Sequence, residues 1–262
     1  MARNGRIRIK KEFGQHFLRD DAVAREAVGS VRLNGACVIE IGPGDGFLTR
    51  HILSEPVARL YAYEIDREWA GALAKEIKDD RLEVICADFL EVDLEQLAPQ
   101  APLTVVSNLP YHVTFPILRK LQRNRHLLRE GVVMMQEEVA QKIVGTRGRG
   151  YGAVSLFFQR FFTWRLLTKV PPSAFLPPPK VFSRLLHFVP RQDIEPIEHE
   201  QNFWKFVKAA FHQPRRTLRN NLLQTHYALD QISDELLAMR AQQLGMEDFL
   251  ALWRLLSHDR RL

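Results

Sequence analysis

Two patterns of apolar positions divide this chain. Up to about residue 190, short apolar runs alternate with stretches of helical spacing. The runs at Ala36–Ile41, Leu60–Ile65, Leu82–Ala87, Leu103–Ser107, Gly131–Gln136, Ser155–Thr163 and Arg184–Val189 predict strands. Helices are predicted over Leu48–Leu53, Arg67–Ile77, Pro116–Gln122 and Glu138–Val144. An earlier one is expected from Asp20 or Asp21 to Val31, with an aspartate as N-cap. Strands alternating with helices imply an α/β fold, a mainly parallel sheet covered on both faces. The last predicted strands have no helix between them, which implies an antiparallel edge. From Arg191 onward only helical spacing is present, as in Phe203-Trp204-x-Phe206-Val207 and Leu252-Trp253-x-Leu255-Leu256. Residues 1–190 therefore read as one α/β domain and 191–262 as a small all-helical C-terminal domain. Prolines 171, 172 and 177–179 mark a stiff loop.

Composition changes this picture little. Hydrophobic residues make up 46% of the 262, enough for a sizeable core, and a net charge of +6 is compatible with a polyanionic partner. Cys37 and Cys86 both sit in apolar runs, so a disulfide or metal site is not expected. No zinc-ligand spacing, signal-peptide core or membrane-length apolar run occurs, which predicts a cytoplasmic protein without a metal.

Chemistry enters at strand ends. Val38-Ile39-Glu40-Ile41-Gly42-Pro43-Gly44-Asp45-Gly46 is an apolar strand running into a glycine turn before a helix. Gly42 and Gly44 there permit positive φ and close approach to a ligand. Glu64 ends the next strand, where α/β nucleotide sites place a ribose-binding acid. The spacing Gly-x-Gly-x-Gly and the proline inside it favour S-adenosylmethionine over a dinucleotide. Asp88 after the third strand can accept from an adenine amino group, with Phe89 beside the ring; a turn cap is its plainer role.

Val105-Val106-Ser107-Asn108-Leu109-Pro110-Tyr111 carries the reaction type. An adenine N6 is a poor nucleophile because its lone pair is delocalised into the ring. The Asn108 side-chain oxygen and the Leu109 carbonyl can accept both amino hydrogens and localise that pair. Pro110 stiffens the turn, and Tyr111 offers a face for an unstacked base. Phe175, in the proline-rich loop, is the candidate second ring.

These residues resemble the KsgA/RsmA family of ribosomal RNA adenine N6,N6-dimethyltransferases. The likeness starts at Phe13-Gly14-Gln15-His16-Phe17-Leu18 and runs through Glu40–Gly44, Glu64, Asp88 and Asn108–Tyr111. It continues through Met135–Ala140, Tyr151-Gly152 and the Phe175 loop to Ala210–Asn220. The resemblance implies a Rossmann-like class I methyltransferase sheet. It also implies that His16, Leu18, Gly42, Glu64, Asp88 and Asn108 contact S-adenosylmethionine. The implied substrate is a pair of adjacent adenosines in the 3′-terminal hairpin loop of 16S rRNA, each dimethylated on the immature 30S subunit, with no obligate protein partner. His16 departs from the asparagine common at that position, and Pro214 interrupts the usual basic run.

Arg215, Arg216 and Arg219 are expected on one helical face for phosphate contact, together with Arg147, Arg149 and the basic N-terminal arm. Glu137-Glu138 reads as a helix-start charge effect. Alternatives at this stage are a 23S rRNA adenine N6-methyltransferase of the macrolide-resistance type, a DNA adenine methyltransferase, an assembly checkpoint factor, and an NAD-dependent oxidoreductase.

Overall fold

The computed structural model describes residues 15–148 and 150–257. Within them the chain divides into two compact units. One holds the chain up to Ala140 and Trp164–Pro190; the other holds Gln141–Thr163 and the chain from Arg191.

The first unit is built on strands β1 (Phe17–Leu18), β2 (Cys37–Ile41), β3 (Arg59–Glu64), β4 (Leu82–Cys86), β5 (Leu103–Asn108), β6 (Leu128–Gln136), β7 (Phe162–Val170), β8 (Phe175–Leu176) and β9 (Ser183–Pro190). Seven of these form one sheet in the order β4-β3-β2-β5-β6-β9-β7. The pairings β3–β4, β2–β3, β2–β5 and β5–β6 are parallel, and β9 joins β6 antiparallel. The expected antiparallel edge is therefore present. Helix α1 (Asp21–Gly29) precedes β2, and α2 (Phe47–Leu53), α3 (Arg67–Glu76) and α4 (Thr114–Arg123) supply the crossovers β2–β3, β3–β4 and β5–β6. Asp20 caps α1 through the amides of Ala22 and Val23. The direction of strand order reverses between the parallel neighbours β2 and β5, which places the switch point of the sheet at the ends of these two strands, where open α/β sheets bind ligands.

The second unit contains α6 (Ala153–Phe161), α7 (Glu200–Ala210), α8 (Leu218–Leu222), α9 (Asp234–Ala238) and α10 (Met246–Ser257), the chain having entered it through α5 (Glu137–Val144). Two sequence expectations are corrected here. Ser155–Thr163 was expected to be a strand, but α6 runs to Phe161 and the strand begins at Phe162. Phe157, Phe158 and Phe161 are strong strand formers, yet their spacing puts Phe157 and Phe161 against Trp204 of α7, at centroid distances of 5.0 and 6.4 Å. Tertiary packing overrides propensity. For the same reason a boundary near Arg191 captures only one piece of the helical unit. Tyr151 and Leu156 belong to a core with Phe203, Phe206, Phe249 and Trp253, and Tyr151 donates its hydroxyl to Leu244 O at 2.7 Å.

A buried acid ties β2 to α2. Glu40 is 1% exposed and accepts a 2.7 Å hydrogen bond from the Thr49 hydroxyl. Burial pushes its carboxyl up to about 8. An unfolded chain ionises the same group at an ordinary glutamate value, so its contribution to stability is full below that value and is lost as pH climbs to about 8. Glu40→Gln keeps an acceptor for Thr49 and removes the titration. Its melting temperature is expected to gain on the parent's by about 5 °C or more between pH ~5 and pH ~8. A gap that stays constant in calorimetric scans over that range would show that Glu40 ionises alike in both states.

Candidate active site

The C-terminal ends of β2, β3, β4 and β5 open into one cleft, lined by Glu40 and Ile41, Tyr63 and Glu64, Ala87 and Asp88, and Asn108. Its floor is the turn after β2. Gly42 and Gly44 adopt φ of +67° and +56°, left-handed conformations that side chains disfavour. A Cβ on Gly44 would lie 2.5 Å from the ring of Phe17. Glu64, 4% exposed, accepts from Gly44 N at 2.9 Å and from Asp66 N at 3.0 Å, so the acid at the end of β3 holds the glycine turn in place. Burial raises the Glu64 carboxyl above its ordinary range, against the lowering effect of these two amides. Asp88 lines the same cleft and caps its own turn, accepting from Leu90 N at 2.9 Å. Phe89 is buried, its ring edge-on to Tyr63 at 5.5 Å.

Asn108 ends β5, and Leu109, Pro110 and Tyr111 follow it along the cleft wall. The Asn108 Nδ2 donates to His16 O at 2.9 Å. A carbonyl can only accept, so the amide must present its nitrogen there, and Oδ1 remains as the acceptor on the other side. Leu109 is fixed by its N–H to Met134 O at 3.0 Å. Tyr111 stacks on His16 with ring centroids 5.5 Å apart, and its hydroxyl is hydrogen-bonded to Ser183 Oγ at 2.5 Å. Burial raises the Tyr111 phenol, which stays neutral at ordinary pH.

The segment preceding α1 closes this arrangement. Its β1 pairs antiparallel with β8, matching Phe17 with Leu176 and Leu18 with Phe175. His16 Nδ1 lies 2.9 Å from Pro177 O, and Arg19 N donates to Ala174 O at 2.7 Å. Arg19 also pairs with Asp45 of the glycine turn. His16 and Leu18, expected at the cofactor, both line the cleft.

Other expected residues fall elsewhere. Phe175, read as a second ring for the base, is 4% exposed and packs in the core with Leu18, Val23, Val170 and Leu185; it does not line the cleft. Its place in β8 turns it inward against Leu18. Arg215 and Arg216 do not share a helical face with Arg219, because α8 starts only after its N-cap Thr217. Arg215, Arg216 and Arg147 are exposed, and Arg219 pairs with Asp234. Arg149 and the basic residues of the N-terminal arm lie outside the described residues. Glu137 is no simple helix-start charge: Arg184 grips both its oxygens at 2.6 and 2.8 Å.

Two residues near the cleft carried no sequence signal of their own, one beneath it and one at its edge. Ser107 bridges β5 to β2, donating to Ile41 O at 2.6 Å and accepting from Ile41 N at 3.3 Å. Ile65, 45% exposed, follows Glu64 at the cleft edge, and only its position after the acid distinguishes it. Among the described residues no cluster of His, Cys, Asp or Glu is arranged to hold a metal, and no helix is long and apolar enough to cross a membrane.

Comparison with known proteins agrees with this geometry. The family model for ribosomal RNA adenine dimethylase matches residues 6–257. A protein of Chlorobium phaeobacteroides named ribosomal RNA small subunit methyltransferase A is 39% identical over 249 residues, covering 94% of this chain and 91% of the relative. One of the same name from Syntrophotalea carbinolica is also 39% identical, covering 92% and 94%. Among solved structures, a Plasmodium falciparum dimethyladenosine transferase superposes with a TM-score of 0.76 at 20% identity, covering 90% of this chain and 96% of the other. The 23S rRNA methyltransferase ErmE superposes with 0.72 at 24%, covering 92% and 99%. Those two likenesses bear on the fold, which is that of class I methyltransferases. On the match along nearly its whole length, the chain belongs to the ribosomal RNA adenine dimethylase family, enzymes that use S-adenosylmethionine.

Proposed function

We propose that this enzyme dimethylates N6 of two adjacent adenosines in the 3′-terminal hairpin loop of 16S rRNA, on the immature 30S subunit in the cytoplasm. The observation that carries the reading is the locked amide of Asn108, held by His16 O with its oxygen left for a target amine. The small-subunit names of the relatives at 39% identity support 16S over 23S rRNA as the target.

The cleft suits S-adenosylmethionine by its donors and acceptors. Glu64 and Asp88 offer acceptors to ribose hydroxyls and an adenine amino group, Ile65 and Phe89 offer apolar surface, and the glycine turn leaves room for close approach. When bound, that molecule supplies an electrophilic methyl group on a sulfonium. Asn108 Oδ1 and the Leu109 carbonyl accept the two hydrogens of the target amine and localise its lone pair. Transfer of that methyl from the sulfonium to the amine nitrogen would make the remaining amine proton acidic, and Asn108 Oδ1 and the Leu109 carbonyl would hold it until it leaves to solvent. Pro110 and the Leu109 amide bond hold the acceptors still before substrate arrives, which is preorganisation. Tyr111 carries the adenine face. Phe175 supports the loop that pairs with β1. Arg147, Arg149, Arg215, Arg216 and Arg219 serve phosphate contact, with Arg219 first having to leave Asp234.

The reading is tested by incubating under-methylated 30S subunits with the enzyme and labelled donor, then mapping modified nucleotides by mass. Dimethylation of two neighbouring adenosines in the 16S loop is expected; transfer only to protein-free 23S rRNA would replace 16S by the alternative. Asn108→Ala is expected to lower kcat by about 100-fold or more while the protein still pellets with 30S subunits. A kcat within a few-fold of the parent's would remove Asn108 from the reaction. In calorimetric titration, Gly44→Ala should weaken S-adenosylmethionine at least ~10-fold, since the turn must leave φ of +56° and Phe17 must move. Unchanged affinity would mean that the donor binds away from this turn.

A further inference from the structure

Beside the adenine-facing wall lies a patch that the reaction does not use. Leu176, Val181 and Phe182 are 56%, 45% and 45% exposed, an unusual concentration of large apolar side chains on so short a loop. Phe182 is held in place from its backbone, its carbonyl accepting from Glu137 N at 2.9 Å. The Lys169 ammonium lies 4.4 Å from the centre of its ring. Lys180, two residues earlier, is also exposed. The next residue, Ser183, is fully buried and is the hydrogen-bond partner of the Tyr111 hydroxyl. The exposed ring is thus joined to the adenine-facing tyrosine through one peptide unit and one hydrogen bond.

An aromatic ring with a lysine over one face and its other face free for stacking is the chemistry that holds single-stranded nucleic acid: the free face takes a base and the ammonium group takes the adjoining phosphate. A protein surface would favour the apolar residues but gives no reason for the cation over the ring or for a second exposed lysine two residues before it. We infer that Phe182, with Lys169 and Lys180, forms a subsite for a nucleotide flanking the target adenosine, its base stacked on Phe182 and its phosphate between the lysines. This rests on the reading of the substrate as a single-stranded RNA loop. The subsite holds that loop while the target base is withdrawn to Tyr111, so its effect falls on RNA binding and not on the chemical step.

The test compares the parent, Phe182→Ala, Phe182→Tyr and Lys169→Met in methyl transfer to under-methylated 30S subunits, with donor affinity measured by calorimetry. Phe182→Ala should raise KM for 30S about tenfold, with kcat and donor affinity unchanged, and Phe182→Tyr should restore KM. Lys169→Met should raise KM and flatten its dependence on salt. A KM for Phe182→Ala within twofold of the parent's overturns the subsite and leaves the patch to a protein partner. A KM that Phe182→Tyr fails to restore also overturns it. Absence of transfer by the parent is a separate result: it defeats the rRNA reading itself, whatever the variants do.

Discussion

The site depends on the short segment, residues 16–19, that precedes the first helix. His16 O receives the Asn108 amide, its ring stacks on Tyr111, and its Nδ1 meets Pro177 O. One residue thereby links the amide proposed as acceptor for the target amine, the ring proposed for the target base and the proline-rich loop. An asparagine amide without that partner is free to turn about its last torsion, and nitrogen and oxygen would compete for the same place. Each such hydrogen bond contributes only about 1 kcal/mol to folding. Its larger effect is on geometry, because acceptors placed before the reaction need no reorganisation during it. The same segment covers the donor side of the cleft. Phe17 lies over Gly44 and 4.9 Å from the Trp69 ring, and Arg19 pairs with Asp45. Both the glycine-turn side and the Asn108 side of the cleft are therefore held by residues 16–19.

Two buried acids beneath this strap do different work because their partners differ. Glu40 has a hydroxyl donor and the like charges of Glu64 and Asp45 nearby, and burial leaves it protonated to about pH 8. It acts as a neutral link between β2 and α2. Glu64 receives two backbone amides, which partly offset its burial. Further donors from ribose hydroxyls would favour its ionised form. The strand that begins the glycine turn thus carries a structural acid, and the neighbouring strand carries the acid suited to a ligand.

The alternating strands and helices, the glycine turn, Glu64 and Asn108–Tyr111 were legible in the sequence because each is a local pattern at a strand end. The antiparallel edge was legible from the lack of an intervening helix. What escaped depends on distant pairing. His16 and Pro177 are separated by 161 positions and Asn108 from His16 by 92; no periodicity encodes such contacts. The two-residue strands β1 and β8 are too short to leave an alternation. Ser155–Thr163 misled because aromatic residues favour strands in isolation, whereas here they pack helix against helix around Trp204. Arg215, Arg216 and Arg219 were aligned by assuming a helix from Arg215, but Thr217 accepts from Asn220 N as the N-cap and the helix starts three residues later, at Leu218.

The fate of the aromatic residues on the proline-rich loop shows how finely one residue of register sets function. Successive side chains on extended backbone point to opposite sides. Phe175 pairs with Leu18 and faces the core, so Leu176 faces out. At the loop's far end Ser183 faces in toward Tyr111, so Phe182 must face out. A loop rich in Phe, Pro and Lys can thus be recognised as belonging to the site while the wrong ring is chosen from it. Composition identifies the segment, but the pleat decides which ring supports the core and which one stands beside Lys169 at the surface.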